Sequence, residues 1–213
     1  MIKLDILSDP ICPWCYIGKA RLEKAMEAES DHPFAIEWHP FQLNPDMPEE
    51  GMDRREYLET KFGGKENAIR VYGEIDRHAR EEGLEIDFGA IQRTPNTVNA
   101  HRLIHWAGIE GKQTAVVDAL FKAYFRDGRD IGDVEVLCDV ADGAGLDAAV
   151  IGKLLKTDED ADMIRERDAH SRKMGVNSVP TFIVDNRHAV PGAQTAELWI
   201  KVIRELNEKQ AAS

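Results

Sequence analysis

Cysteine is scarce: three in 213 residues cannot staple a chain of this length, which makes a reducing cytoplasm the default compartment. Basic residues are outnumbered by acidic ones, 27 against 39, for a net charge of −12. That excess repels phosphate backbones, so nucleic acid is not an expected partner, although nothing about the substrate follows from it. Long apolar runs are missing too. The first residues alternate instead of forming a secretory apolar core, and no stretch is long enough to span a bilayer, so neither a targeting segment nor a membrane partner is expected. What is present suits a chain with a real core, 43% hydrophobic and 31% charged. The length fits one core with a sizeable insertion as well as it fits two domains.

Hydropathy patterning divides the chain into three parts. In the first, Ile2 to Leu7 alternates with a period of two, as a half-buried strand does. Ser8-Asp9-Pro10 is a turn cluster, Tyr16 to Glu29 has helical spacing, and Phe34 to Leu43 begins as a strand that Pro40 places at an edge. From Met52 to about Met174 strand signals almost vanish. Helical segments are predicted over Arg54–Glu82, interrupted by Gly63-Gly64 and Gly73, then from Thr94 as N-cap with Pro95 in the first turn. Further helices are predicted over Lys112–Arg126, Val134–Ala141, Asp147–Leu155 and Glu159–Met174. Strand character returns at Thr181–Val184, with a short hairpin partner at His188–Val190 and a closing helix from Thr195 to Lys209. The order is βαβ, helical block, ββα.

Cys12-Pro13-Trp14-Cys15 falls where the first strand ends and the first helix begins. Pro13 suits a first helical turn, because the N–H it lacks would have no partner there. Cys12 then lies at the helix N-terminus, whose free N–H groups and positive dipole end favour a thiolate. Such positions lower a cysteine pKa from about 8.5 into a range of about 3.5–7.5. Cys15, one turn further in, reaches Cys12 but is more buried and less stabilised as an anion. The asymmetry assigns attack to Cys12 and resolution to Cys15. A zinc site at this pair would need two more ligands, from Cys138 and the histidines, and His101 and His105 have i, i+4 spacing but lie too far along the chain for a compact finger. No metal and no cofactor are therefore expected. A structural disulfide closing so short a loop would constrain the unfolded chain little. Cys138, among Val136, Leu137 and Val140, reads as a buried, inert thiol.

Pro180 stands immediately before the apolar strand Thr181–Val184, where its missing N–H is tolerated. Taken alone it reads as a trans proline in a turn. Beside a CxxC pair in this element order, a cis Val179–Pro180 bond becomes the expectation. In that geometry the backbone of Val179, continuing into Thr181, lies beside Cys12 and can bind an extended substrate segment by strand addition.

The chain resembles the thioredoxin superfamily, specifically the DsbA-like group and its FrnE-like branch. The resemblance is carried by Asp9-Pro10-Ile11-Cys12-Pro13-Trp14-Cys15-Tyr16-Ile17-Gly18 and Asn96-Thr97-Val98-Asn99-Ala100-His101-Arg102-Leu103. It also rests on Gly175-Val176-Asn177-Ser178-Val179-Pro180-Thr181-Phe182 and Val190-Pro191-Gly192-Ala193-Gln194. These stretches touch the beginning, middle and end. The resemblance implies an α/β, thioredoxin-like fold (βαβ…ββα) with a large α-helical insertion: residues 1–44 and 175–213 would form the thioredoxin-like domain and 45–174 the insertion. It implies a protein-disulfide oxidoreductase with Cys12 as nucleophile, Cys15 as resolving cysteine, and Pro13, Trp14 and the cis Pro180 as active-site support. Expected partners are proteins carrying disulfides or dithiols, with glutathione or another small thiol as a further one. Some relatives carry an extra cysteine pair near the C-terminus; this chain has none there, so a second redox relay is in doubt. Trp14 brings no cation beside the thiolate, which implies a less oxidising centre than a histidine there would give. A glutathione-dependent isomerase or transferase of the kappa-like group shares the architecture but typically has serine where this chain has Cys12. A holdase using a groove around Trp14 and Pro180 is the reading outside enzymology.

Overall fold

The computed structural model describes residues 1–211. Strand β1 (Ile2–Ser8) leads into helix α1 (Pro13–Ala28), and β2 (Phe34–Pro40) follows. The middle of the chain holds β3 (Met52–Asp53), α2 (Arg54–Phe62), α3 (Lys65–Glu81), β4 (Arg93–Thr94) and α4 (Val98–Ile109). After them come α5 (Gln113–Phe121), which continues as a π-helical turn over Lys122–Arg126, then α6 (Val134–Gly143), α7 (Ala148–Leu155) and α8 (Ala161–Lys173). The hairpin β5 (Thr181–Val184) and β6 (His188–Pro191) precedes α9 (Ala196–Ala211).

Strands from the two ends of the chain make one sheet in the order β2-β1-β5-β6. β1 runs parallel to β2 and antiparallel to β5, with Ile6 opposite both Trp38 and Phe182. This central place corrects the half-buried reading of β1: Leu4, Ile6 and Leu7 are all buried, and Asp5 with them, because both faces are covered. β2 is an edge, as Pro40 implied, and its free ladder groups at Trp38 are covered by an amide side chain. Trp38 N donates to Gln113 Oε1 (2.7 Å) and Gln113 Nε2 donates to Trp38 O (3.1 Å), so the edge ends in a side-chain mimic of a strand.

Two helical readings are corrected. Gly73 does not interrupt α3, whose Ile75 and Ala79 face Ile17 of α1 and hold the helix through the glycine. Thr94 is not an N-cap: it pairs with Met52 in a small two-stranded sheet, β3 with β4, too short to leave a periodic trace in the sequence. The following helix starts at Val98, whose N–H donates to Asn96 Oδ1 at 3.0 Å. One cluster of buried side chains runs from the sheet into the helical block, from Leu4, Trp38 and Phe182 to Leu103, Leu120 and Leu137. Among the described residues no helix is long and apolar enough to cross a membrane.

Candidate active site

Cys12 is the N-cap of α1, in extended backbone geometry, with Pro13 as the first helical residue. Its N–H donates to Asp9 O (2.9 Å), and its own carbonyl accepts from Cys15 N (3.0 Å), closing the first turn. No acidic side chain lies in that turn, so the positive end of α1 stands uncompensated. Both sulfurs are free thiols, Cys12 3% and Cys15 1% exposed. Burial pushes the Cys15 thiol well above its ordinary range and Cys12 adds to the effect, while the Ser8 hydroxyl and the Asp9 backbone N–H oppose it.

The Val179–Pro180 bond is cis, and the chain there turns towards α1. Cys12 Sγ donates to Val179 O at 3.7 Å, so this carbonyl points at the thiol. Close approach is made possible by Gly18: a Cβ there would stand 2.9 Å from Pro180 Cγ and 3.4 Å from Ala193 Cα. Thr181 is buried in β5, and its hydroxyl donates to Ser178 O (2.8 Å), closing the turn before the strand. Trp14 is half-buried at the α1 surface. Its ring lies 5.3 Å from that of His78 on α3, an imidazole neighbour that the sequence motif alone did not disclose.

The sequence also gave no hint of a buried pair behind the dithiol. Asp9, with no exposed surface, accepts from Leu43 N (2.7 Å) and Ile11 N (3.4 Å), tying the α1 entry loop to the segment after β2. Burial raises its carboxyl to about 7. His101 Nε2 of α4 lies 3.8 Å from Asp9 Oδ1, is buried, and has no hydrogen-bond partner among the described residues. Burial lowers this imidazole to about 4. The only local signal was Asp9-Pro10 before the cysteine, which reads as a turn and nothing more. Among the described residues a cluster of metal-ligand type is formed by Asp5, Glu37 and His39. Its groups are already engaged: Lys3 pairs with both carboxylates at 2.9 Å, and Arg167 donates to His39 Nδ1 at 2.8 Å.

A family model described as the DSBA-like thioredoxin domain matches residues 3–203. The chain belongs to this DsbA-like family. A crystal structure described as a probable DsbA oxidoreductase from Streptomyces coelicolor superposes with a TM-score of 0.86 at 32% identity, over 96% of this chain and 89% of that one. The cytosolic disulfide reductase DsbM from Pseudomonas aeruginosa shares the fold at 19% identity and a TM-score of 0.69, over 99% of this chain and 100% of its own. A 2-hydroxychromene-2-carboxylate isomerase does so at 18% and 0.74, over 99% and 98%. The DsbA-like fold is thus thioredoxin-like with a helical insertion between β2 and β5. Cys138 of the DsbA-like chain sits on α6 of the helical block. It is half-buried there, against Gly152 of α7, and not the fully buried thiol that its neighbours in sequence suggested.

Proposed function

We propose that this protein is a dithiol–disulfide oxidoreductase in which Cys12 attacks and Cys15 resolves. The observation that carries the reading is the junction of Cys12, as N-cap of α1, with the Val179 carbonyl beside the cis Pro180. The Cys12 thiolate attacks one sulfur of a substrate disulfide. That S–S bond breaks, the other substrate sulfur leaves as a thiolate and takes up a proton, and a mixed disulfide remains. Cys15 then gives up its proton and attacks Cys12 Sγ. The substrate leaves as a dithiol, two electrons have passed to it, and Cys12–Cys15 is the oxidised form. The same steps in reverse oxidise a substrate.

In this reading Pro13 and Trp14 shape the surface around Cys12, Val179 offers backbone to an extended substrate, and Thr181 positions that backbone through its bond to Ser178. Substrates are proteins with disulfides or dithiols. Glutathione as the recycling thiol is supported by the DsbM structure described with bound GSH. A reducing cytoplasm is supported by the low cysteine count and by the cytosolic description of DsbM. We assign residues 1–44 and 175–213 to the catalytic domain and 45–174 to the insertion, because the sheet is built from the two ends alone.

The test is insulin reduction with and without glutathione, together with two variants. Cys15→Ser should accumulate a stable mixed disulfide through Cys12, and Cys12→Ser should abolish reaction with substrate disulfides. An active Cys12→Ser beside a dead Cys15→Ser would invert the roles. Likeness to the isomerase favours a second reading, glutathione-dependent isomerisation, which predicts activity that requires glutathione and survives Cys15→Ser.

A further inference from the structure

Apart from the dithiol, a cavity of about 450 Å³ lies among α2, α3 and the segment entering β4. That volume falls within the range of small-molecule sites. Much of its lining is apolar: Leu58, Ala68, Ile69, Phe88 and Ile91. Ile69 is 62% exposed, an apolar side chain held open to solvent at the cavity.

Arg54 lines the same cavity and is only 6% exposed. Among the described residues it forms no ion pair. Its hydrogen-bond partners are all neutral. Nη1 donates to the hydroxyls of Thr94 (3.2 Å) and Tyr124 (3.3 Å), and Nη2 to that of Tyr72 (2.7 Å). The rings of Tyr72, Tyr57 and Tyr124 stand 5.2, 5.9 and 5.9 Å from its Cζ. A guanidinium has five N–H groups. These bonds use both protons of Nη1 and one of Nη2, leaving Nε–H and the second Nη2 proton on neighbouring nitrogens. Two such donors match the two oxygens of a carboxylate.

A purely structural Arg54 would pin β4 and α3 to the π-helical turn through those hydroxyls. An uncharged amide could do much of that without placing an unpaired charge out of water, which is unfavourable. The other charges around the cavity do not supply the missing anion. Arg55 is matched by Glu59 at 3.0 Å, and Asp53 is committed to the α2 N-cap, where it accepts from Glu56 N at 3.0 Å. Lys65, exposed at the start of α3, also lines the cavity and also forms no ion pair among the described residues. The lining therefore holds three cations against two carboxylates, in a chain whose net charge is −12.

We propose that this cavity binds a small carboxylate with an apolar body, its two oxygens held by Arg54 Nε and Nη2, Lys65 nearby, and its body against Leu58, Ile69 and Phe88. The site uses neither cysteine, although it abuts the motif helix through a chain of ring contacts, edge-to-face at Phe88 and stacked at Tyr16. Phe88 touches Tyr72 (4.8 Å) and Phe125 (6.3 Å), and Phe125 lies 5.9 Å from Tyr16, the neighbour of Cys15.

The probe is 3-phenylpropionate, with 3-phenylpropanamide as its uncharged counterpart, titrated into the full-length protein by calorimetry and by amide-resolved NMR. The acid should bind saturably at one site, and the amide about tenfold more weakly or less. Lys65→Gln should weaken the acid by about two- to fivefold, and Arg54→Gln by about tenfold or more. Shifts should centre on residues 53–72 and 88–92, and binding should persist in Cys12→Ser. Equal affinity for acid and amide, shifts centred elsewhere, or loss of binding in Cys12→Ser would each overturn the assignment. If Arg54→Gln does not fold, the acid–amide difference and Lys65→Gln decide on their own: no effect in either sinks the proposal.

Discussion

The Cys15 thiol is 1% exposed and held well above the ordinary cysteine range by burial, so in the proposed chemistry it must lose a tightly held proton before it can attack Cys12 Sγ. Release of substrate from a preformed mixed disulfide should therefore accelerate with pH, by about tenfold per unit below that pKa. Stopped-flow fluorescence between pH 6 and about 8.5 would follow it, and a flat profile would show that Cys15 is not the group being deprotonated. Asp9 makes a second pH-dependent contribution, to stability. Its carboxyl sits at about 7 in the fold against 3.8 ordinarily, so the folded chain keeps a proton that the unfolded chain releases. The associated stability is fully present below about pH 4 and is lost as pH rises through 7. His101, at about 4 against 6.5, has the opposite sense: its contribution is lost as pH falls through that window. Urea denaturation of wild type and Asp9→Asn should show the wild type losing ground from pH 4 to 8, by up to about 4 kcal/mol at about 1.4 kcal/mol per unit. The His101 contribution is shared by both proteins and largely cancels in this difference.

Two helical glycines separate what local propensity decides from what packing decides. Gly18 lies in α1 against Pro180 and Ala193, and a Cβ there would come within 2.9 Å of the proline ring. Gly73 lies in α3 with nothing within 4 Å of the same atom. Alanine gains up to about 1 kcal/mol over glycine inside a helix, while forcing atoms into a filled contact costs about 1–3 kcal/mol. Gly73→Ala should thus raise the melting temperature and Gly18→Ala should lower it; the same sign for both would mean that α1 is not pressed against Pro180. The contrast also marks what the sequence could disclose. The CxxC pair and Pro13 were legible because their geometry is set within one helical turn, and α5 to α8 were legible because their apolar spacing is local. Thr94-Pro95 resembled a helix start by the same local rule, but pairing with Met52 and the Arg54 guanidinium claimed Thr94 first. The burial of both β1 faces, the amide cap that Gln113 places on β2, and the meeting of His101 with Asp9 all depend on segments distant in sequence. No window of neighbouring residues contains them.

Although the sheet comes from the chain ends and the helices from its middle, the two parts are not packed as separate bodies. The cluster containing Leu4, Phe34 and Trp199 also contains Leu103, Leu137 and Ile151. Polar ties cross the same boundary. Asp168 of α8, 4% exposed, accepts from Gln42 N (2.7 Å) and from Arg172 Nε (2.8 Å), and Trp38 Nε1 donates to Thr114 Oγ1 (3.0 Å). Separating the helices from the sheet would expose apolar surface on both and strand these buried donors, so a state with only one part folded has little to support it. The whole chain should therefore unfold in one cooperative transition. Single-tryptophan variants retaining Trp199, on α9 beside Phe34 and Phe182, or Trp106, on α4, report the two parts separately. Their urea midpoints should coincide with each other and with loss of far-ultraviolet circular dichroism. Asp168→Ala should move all three midpoints together, by an amount equivalent to roughly 2–4 kcal/mol, because it leaves Gln42 N–H without its acceptor and Arg172 without its carboxylate partner. If the Trp106 signal were lost first while Trp199 stayed native, the helical block would be a separate folding unit, and the continuous core would not be what joins it to the sheet.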